Sequence, residues 1–93
     1  MTLQQEQKTM DVEAIKGKIK EAINRVTGVS IEQIHDSASY DTDLGLDSLA
    51  ILEVAVSVES EFKFQATEEE LASIKTVEDT VALVKKRLFA EVA

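Results

Sequence analysis

Apolar residues recur every three or four positions over residues 12–26, and polar residues fill the positions between them. This spacing predicts an amphipathic α-helix of about four turns with one apolar stripe. Thr9 or Asp11 can cap its start, and Gly28 stands where a left-handed residue would end it. The apolar positions are Val12, Ile15, Ile19, Ala22, Ile23 and Val26.

A second periodic segment runs from Ser48 to about Phe62. Its β-branched residues are also typical of a strand, but the length and the three-to-four spacing favour a helix. The residues on its apolar side are Ile51, Val54, Ala55, Val58 and Phe62.

Two capping patterns predict two further helices near the end of the chain. Thr67 and Glu70 have the spacing of a capping box, which predicts a short helix of about two turns. Thr76 and Asp79 repeat the pattern before a longer helix. That helix is expected to bury Val77, Val81, Val84 and Leu88.

A long connection, residues 28–47, separates the first two helices and has no periodic segment of its own. Long loops in small domains are usually functional or disordered, and the apolar residues here favour an ordered loop. Ser30 can cap a single turn within it. The pattern as a whole predicts an all-α fold with three main helices and one short helix.

Composition agrees with a single helical domain. The chain has 93 residues, three glycines, no proline and no cysteine, so it has room for one core and lacks disulfides, cysteine metal ligands and a thiol nucleophile. We predict a flexible extension at residues 1–8 and a domain at 9–93. No secretory signal or membrane span is evident, so we expect a cytoplasmic monomer.

Negative charge is concentrated in the middle of the sequence. The formal net charge is −8, and residues 36–70 contain ten acids against one base, Lys63. This balance makes nucleic acids and anionic membranes poor partners. The acidic segment is either a solvated face or a docking surface for basic partners.

The acidic loop ends at Ser48, where three interpretations compete. Asp47 can cap the second helix, which places the Ser48 hydroxyl beside the unpaired amides of the first turn. A nucleophilic serine is disfavoured because the only histidine, His35, lies thirteen residues upstream and no Gly-x-Ser-x-Gly motif is present. A plain helix-start residue and an attachment point for a phosphate-linked group both fit the pattern.

The acids of this loop match a calcium-binding pattern only in part. Asp41 and Asp43 occupy the first and third positions of an EF-hand pattern, but Gly45 and Leu52 occupy the fifth and twelfth. The acidic closing ligand is missing, which excludes an EF-hand. His35 alone is a loop residue rather than a metal ligand, so we predict no metal site.

In these motifs the sequence resembles the acyl carrier proteins over residues 12–90. The residues that carry the resemblance are Asp43–Leu49, Glu53, Glu59–Phe62, Thr67–Glu70 and Thr76–Asp79. The resemblance implies a four-helix acyl-carrier-like bundle without catalytic residues. It also implies that Ser48 accepts a 4′-phosphopantetheine arm from coenzyme A through a phosphopantetheinyl transferase, a holo-carrier synthase.

The resemblance further implies contacts with basic patches on acyltransferases, ketosynthases and other synthase enzymes. The partner-recognition surface would consist of Asp47, Leu49, Leu52, Glu53, Val56 and Glu59. An acyl chain can also fold back between the helices of such carriers. Its cavity would be lined by Val54, Ala55, Val58, Phe62, Leu71, Ile74, Leu83 and Val84, although each of these residues fits a plain core equally well.

Several positions differ from the usual fatty-acid-synthesis carriers. Those carriers usually have Ala before Asp-Ser-Leu and an acid after it, where this chain has Leu46 and Ala50. The pattern is closer to carriers of polyketide or other specialised pathways. Peptidyl carriers are disfavoured because Asp47, not glycine, precedes the serine. The alternative from another class is an acidic helical interaction module without a prosthetic group.

Overall fold

Within the described residues 11–90, four α-helices form the fold and one long loop joins the first two, so the predicted all-α class is confirmed. The computed structural model describes residues 11–90, and the extension predicted at residues 1–8 lies outside that range. A 3-10 turn, Ile31–Gln33, interrupts the long loop. The helices are α1 (Val12–Thr27), α2 (Ser48–Phe62), α3 (Glu68–Ala72) and α4 (Val77–Ala90).

Local capping bonds set the ends of α1. The Asp11 carboxylate accepts a hydrogen bond of 2.9 Å from the Ala14 amide, so Asp11, rather than Thr9, is the N-cap. Gly28 ends the helix with φ 81°, a left-handed conformation that glycine adopts without strain. Its amide donates to the Asn24 carbonyl at 2.8 Å.

Both predicted capping patterns near the end of the chain form. The Glu70 amide donates to Thr67 Oγ1 at 3.1 Å, and the Thr67 amide donates to Glu70 Oε1 at 2.9 Å. The same reciprocal bonds join Thr76 and Asp79 at 3.0 and 3.1 Å. Two details of the prediction are wrong: α3 has only five residues, and Ser30 precedes its turn without a side-chain capping bond.

The core lies where α1 packs against α2 and α4. Four side chains of α1, Ile15, Ile19, Ala22 and Ile23, are 0% exposed. Burying one large aliphatic side chain of this kind contributes about 1.5–3 kcal/mol to folding. Leu88, expected in the core, is only partly buried against it.

The long loop is ordered, as predicted, and is bonded to the start of α4. The Tyr40 amide donates to the Lys75 carbonyl at 2.9 Å, and the Val77 amide donates to the Ala38 carbonyl at 3.0 Å. Asp36 joins the loop to α1. Its Oδ2 lies 2.8 Å from Lys16 Nζ, and its Oδ1 lies 2.8 Å from Lys20 Nζ. These bonds fix the path by which the loop reaches the start of α2.

The Phe62-Lys63-Phe64 segment ends α2. Lys63 has φ 60° and its amide donates to the Glu59 carbonyl, so a non-glycine residue adopts the left-handed capping conformation. Phe62 is buried and Phe64 packs against the core. Throughout residues 11–90, no helix has the length and apolar character needed to cross a membrane.

Candidate functional site

Ser48 is the first residue of α2 and its side chain is exposed. Asp47 holds this position, because its carboxylate accepts from the Ala50 amide at 2.9 Å and its carbonyl accepts from the Ile51 amide at 3.0 Å. The amides of Ser48 and Leu49 open the helix and have no acceptor within it. The serine hydroxyl therefore stands next to unpaired donors at the positive end of α2.

The acids before Ser48 shape the loop. Asp43 accepts from the Ser39 amide at 2.7 Å, and Asp41 accepts from the Ser39 hydroxyl at 2.8 Å. Gly45 makes the bend with φ 71°. Within the described residues, no three histidine, aspartate or glutamate side chains are grouped to hold a metal ion.

His35 is not brought to Ser48. It is exposed and lines a separate pocket together with Asp43 and Leu44. The fold therefore does not place this histidine beside Ser48 as the base that a nucleophilic serine requires.

A pocket of about 540 Å³ lies between α2 and α3 beside Ser48. We call it the Ser48 pocket. Its wall is mainly apolar, and its polar lining residues lie on the long loop, at Ser48 and before α4. It is lined by Ser39, Asp41, Ser48, Ile51, Leu52, Ala55, Leu71, Ala72, Ile74 and Lys75.

The residues predicted for an acyl cavity separate into three groups. Ala55, Leu71 and Ile74 line the Ser48 pocket. Leu83 is half-buried against the core. The remaining four are buried core residues that do not line this pocket: Val54, Val58, Phe62 and Val84.

Most of the residues predicted to form the partner-recognition surface are exposed along α2 or at its N-cap. Leu49, Leu52 and Val56 are 64%, 45% and 52% exposed, which is unusual for three apolar side chains along one helix. Asp47 and Glu53 are exposed with them. Glu59 differs, because it is half-buried and its carboxylate accepts from the Ala66 amide at 2.7 Å.

Three charged residues near α3 were not predicted as site residues. Lys75 lines the pocket directly, whereas Arg87 and Glu70 join α4 to α3. The pKa of Glu70 is lowered, first by the hydrogen bond from the Thr67 amide and then by Arg87. The sequence predicted Glu70 only as a capping residue. No local pattern in the sequence predicts the ion pair between Glu70 and Arg87.

These residues fit a phosphate-linked group at Ser48. The hydroxyl is exposed, helix amides stand beside it, and the adjoining pocket offers an apolar wall. Helix N-termini of this kind favour negatively charged phosphate. The same hydroxyl is accessible to a modifying enzyme.

Comparison with known proteins gives matches over most of the chain. A family model described as a phosphopantetheine attachment site matches residues 17–84. The acyl carrier protein of Bdellovibrio bacteriovorus is 35% identical over 74 residues, covering 80% of this chain and 95% of the relative. The acyl carrier protein of Coprothermobacter proteolyticus is 34% identical over 82 residues, covering 88% of this chain and all of the relative.

A third relative is longer. The meromycolate extension acyl carrier protein of Mycobacterium tuberculosis is 38% identical over 74 residues, which are 80% of this chain and 64% of that relative. The chain thus spans slightly less than two thirds of the mycobacterial protein. From the family match and these identities, we conclude that the chain belongs to the acyl carrier protein family, whose members are non-catalytic carriers of a 4′-phosphopantetheine group.

Proposed function

We propose that Ser48 is the attachment point of the 4′-phosphopantetheine arm and that acyl intermediates are carried on this arm as thioesters. The observation that supports this most directly is the exposed Ser48 hydroxyl at the start of α2, on the lining of an adjoining pocket. A phosphopantetheinyl transferase can reach the hydroxyl without any opening of the core.

In the proposed modification, one phosphopantetheine group is transferred from coenzyme A to Ser48. A bond forms between Ser48 Oγ and phosphorus, and the bond from that phosphorus to the adenosine bisphosphate leaving group breaks. The serine proton passes to the transferase. The chain has no cysteine, so the thiol that bears the acyl group belongs to the arm.

Tethering is the carrier's contribution to the reactions of its partners. An arm fixed to Ser48 holds an intermediate at high effective concentration once the carrier has docked. The partner-recognition surface is suited to this docking, because exposed apolar side chains lie beside acids. Acyltransferases, ketosynthases and other synthase enzymes with basic patches are the proposed partners.

The proposed cargo is a fatty acyl or polyketide intermediate, and we expect the exchange to occur in the cytoplasm. Leu46 and Ala50 flank the attachment motif where fatty-acid-synthesis carriers usually have alanine and an acid. This difference favours a polyketide or other specialised pathway. Two of the relatives are named simply acyl carrier protein, and the mycobacterial relative is named for meromycolate extension.

Intact-mass measurement tests the attachment site. The wild-type chain is incubated with coenzyme A and a broad-specificity transferase, beside Ser48→Ala and Ser60→Ala. Ser60 is an exposed serine on the same helix and serves as the matched control. We expect wild type and Ser60→Ala to gain one phosphopantetheine and Ser48→Ala to gain none.

Two results would contradict the proposal. A gain on Ser48→Ala would place the arm elsewhere. No gain on any variant, under conditions that modify a known carrier, would favour the acidic interaction module instead.

A further inference from the structure

We propose that Lys75 is a positioning residue for the arm: its ammonium group draws the phosphodiester on Ser48 toward the Ser48 pocket. The inference rests on the proposed attachment at Ser48. It adds a preferred direction to the arm, along the groove between α2 and α3 rather than over the acidic loop.

The backbone of Lys75 is fixed on both sides. Its amide donates to Asp79 Oδ2 at 2.9 Å, and its carbonyl accepts from the Tyr40 amide at 2.9 Å. Lys75 therefore stays at the pocket, while its flexible side chain can follow a mobile anion.

Within residues 11–90, the side chain of Lys75 lacks the carboxylate partner that most lysine side chains of the bundle have. Lys16, Lys18, Lys20 and Lys86 each lie within 4 Å of a carboxylate. In the part of the chain that the structure describes, the exposed Lys75 ammonium forms no ion pair and donates no hydrogen bond to a side chain. Its charge is thus available to an anion that arrives at the pocket.

Local electrostatics give the arm a preferred direction. Asp41, Asp43 and Asp47 are all exposed in the loop that leads into Ser48, so a phosphodiester on Ser48 adds negative charge to an acidic region. Among the residues that line the pocket, Lys75 is the single cation and Asp41 the single anion. Asp41 already accepts a hydrogen bond from Ser39. Repulsion by the loop and attraction by Lys75 therefore act in the same direction.

The pocket wall can then hold the pantetheine part of the arm. Ile51, Leu71 and Ile74 offer apolar surface beyond the polar lining. An arm directed into this groove would hold its thioester nearer to the protein than an arm extended into solvent. Lys75 would then affect both arm position and water access to the thioester.

The test begins with complete enzymatic loading of wild type, Lys75→Ala, Lys75→Glu, Lys75→Arg and Lys85→Ala. Lys85 is an exposed lysine that lines a different pocket, with Val12 and Glu78, and is the matched control. The intact mass establishes loading for each variant. Failure of every variant to load would overturn attachment at Ser48, whereas normal loading leaves only the role of Lys75 in question.

The readout is the change in backbone amide NMR shifts between the apo and loaded forms. We expect clear changes at Ser39, Leu71 and Ile74 in wild type, Lys75→Arg and Lys85→Ala. Lys75→Ala should lower the population of groove-bound arm by up to about fivefold, since exposed ion pairs are weak, and Lys75→Glu should lower it further. Added salt should reduce the wild-type changes.

A second readout is the rate of spontaneous hydrolysis of a loaded acyl thioester, which should rise in Lys75→Ala and Lys75→Glu. Apo spectra of the variants should match wild type, which confirms that the fold is intact. Equal loading-induced shifts in wild type and Lys75→Glu would overturn the proposal, as would loss of the shifts in Lys75→Arg.

Discussion

The hydroxyl of Tyr40 lies 2.6 Å from the hydroxyl of Thr80 in the buried core. The two residues are 40 positions apart in sequence and join the long loop to α4. Burial raises the pKa of Tyr40 to about 12, so both hydroxyls stay protonated and either can donate. The Tyr40 carbonyl also accepts from the Leu46 amide at 2.9 Å, which connects this buried pair to the loop end that carries Ser48.

Removing one member of this pair should destabilise the fold more than removing both. Thr80→Val leaves the Tyr40 hydroxyl buried without its partner, at a cost of about 1–3 kcal/mol. Tyr40→Phe should cost about 1 kcal/mol, because Thr80 Oγ1 keeps a contact of 3.4 Å with the Thr76 carbonyl. Urea unfolding of both single variants and the double variant measures the coupling. Strictly additive changes would show that the two hydroxyls are not coupled.

Helix bounds and caps were predictable because their determinants are close in sequence. Asp47 bonds to an amide three residues away, and Thr67 and Glu70 bond to each other across the same spacing. The spacing of the apolar residues in α1 likewise predicts which of its side chains face the core. The position of Ser48 at the start of α2 was predictable in the same way, because Ser48 directly follows the capping residue Asp47.

Contacts between distant segments were not predictable in this way. The contact between Tyr40 and Thr80, and the presence of Lys75 and Ser48 on one pocket lining, depend on how the long loop crosses the bundle. Val54 and Leu71 also looked equivalent as apolar residues, yet one is core and the other lines the Ser48 pocket. Periodicity identifies an apolar side of a helix but not which of its residues borders a groove.

Arg87 holds α3 in place from α4. Its guanidinium forms an ion pair with Glu70 and donates to the Gln65 carbonyl at 2.9 Å. It also lies 5.7 Å from the centre of the Phe64 ring. Helix α3 has no buried residue of its own, so these polar contacts are a large part of what fixes one wall of the Ser48 pocket.

Arg87→Ala should therefore loosen α3 with little effect on the rest of the bundle. We expect amide hydrogen exchange at residues 67–74 to become about tenfold faster, because local opening needs fewer contacts to break. Arg87→Lys should rescue only part of the protection, since lysine lacks the planar, forked donor group. Lys85→Ala is the control. Uniformly faster exchange in all helices would instead indicate global destabilisation.

Asp36 makes the free energy of unfolding depend on pH in the acidic range. Hydrogen bonds from Lys16 and then Lys20 lower its pKa to about 2, below its ordinary value of 3.8. A depressed folded-state pKa means that the unfolded chain binds the proton first as pH falls. The stabilisation from Asp36 is therefore complete above about pH 4 and is lost as pH falls through about 2.

The comparison of wild type with Asp36→Asn isolates this effect. At neutral pH the variant should melt at a lower temperature, because two lysines lose their charged partner. The difference should shrink between about pH 4 and about pH 2, as wild-type Asp36 is protonated. Thermal unfolding, followed by circular dichroism at several pH values, measures this difference in melting temperature. A difference that stays constant down to the acid end of this range would contradict the lowered pKa.

The acidic middle of the chain predicts a response to salt. Residues 36–70 contain ten acids and one base, and mutual repulsion within this segment opposes folding. Added salt or a divalent cation should screen that repulsion and raise the melting temperature. Calorimetry at increasing sodium chloride and magnesium chloride provides the measurement. A melting temperature that is unchanged by both would show that the acids do not destabilise the fold.

Reversing one charge on the partner-recognition surface should weaken productive docking. Glu53 is exposed on α2 beside Leu49 and Val56, and Glu53→Lys would repel the basic patches proposed on partner enzymes. Rim charges act mainly on association rate, so we expect turnover by a partner to fall several-fold, with a smaller difference at high salt.

The matched control for this variant is Glu32→Lys, which makes the same charge change at an exposed residue of the 3-10 turn. Because it lies outside the partner-recognition surface, it should leave turnover near the wild-type value. Circular dichroism should show that both variants keep their helices. Equal losses in the two variants would point to net charge rather than to this surface, and unchanged turnover of Glu53→Lys by every partner would remove Glu53 from the interface.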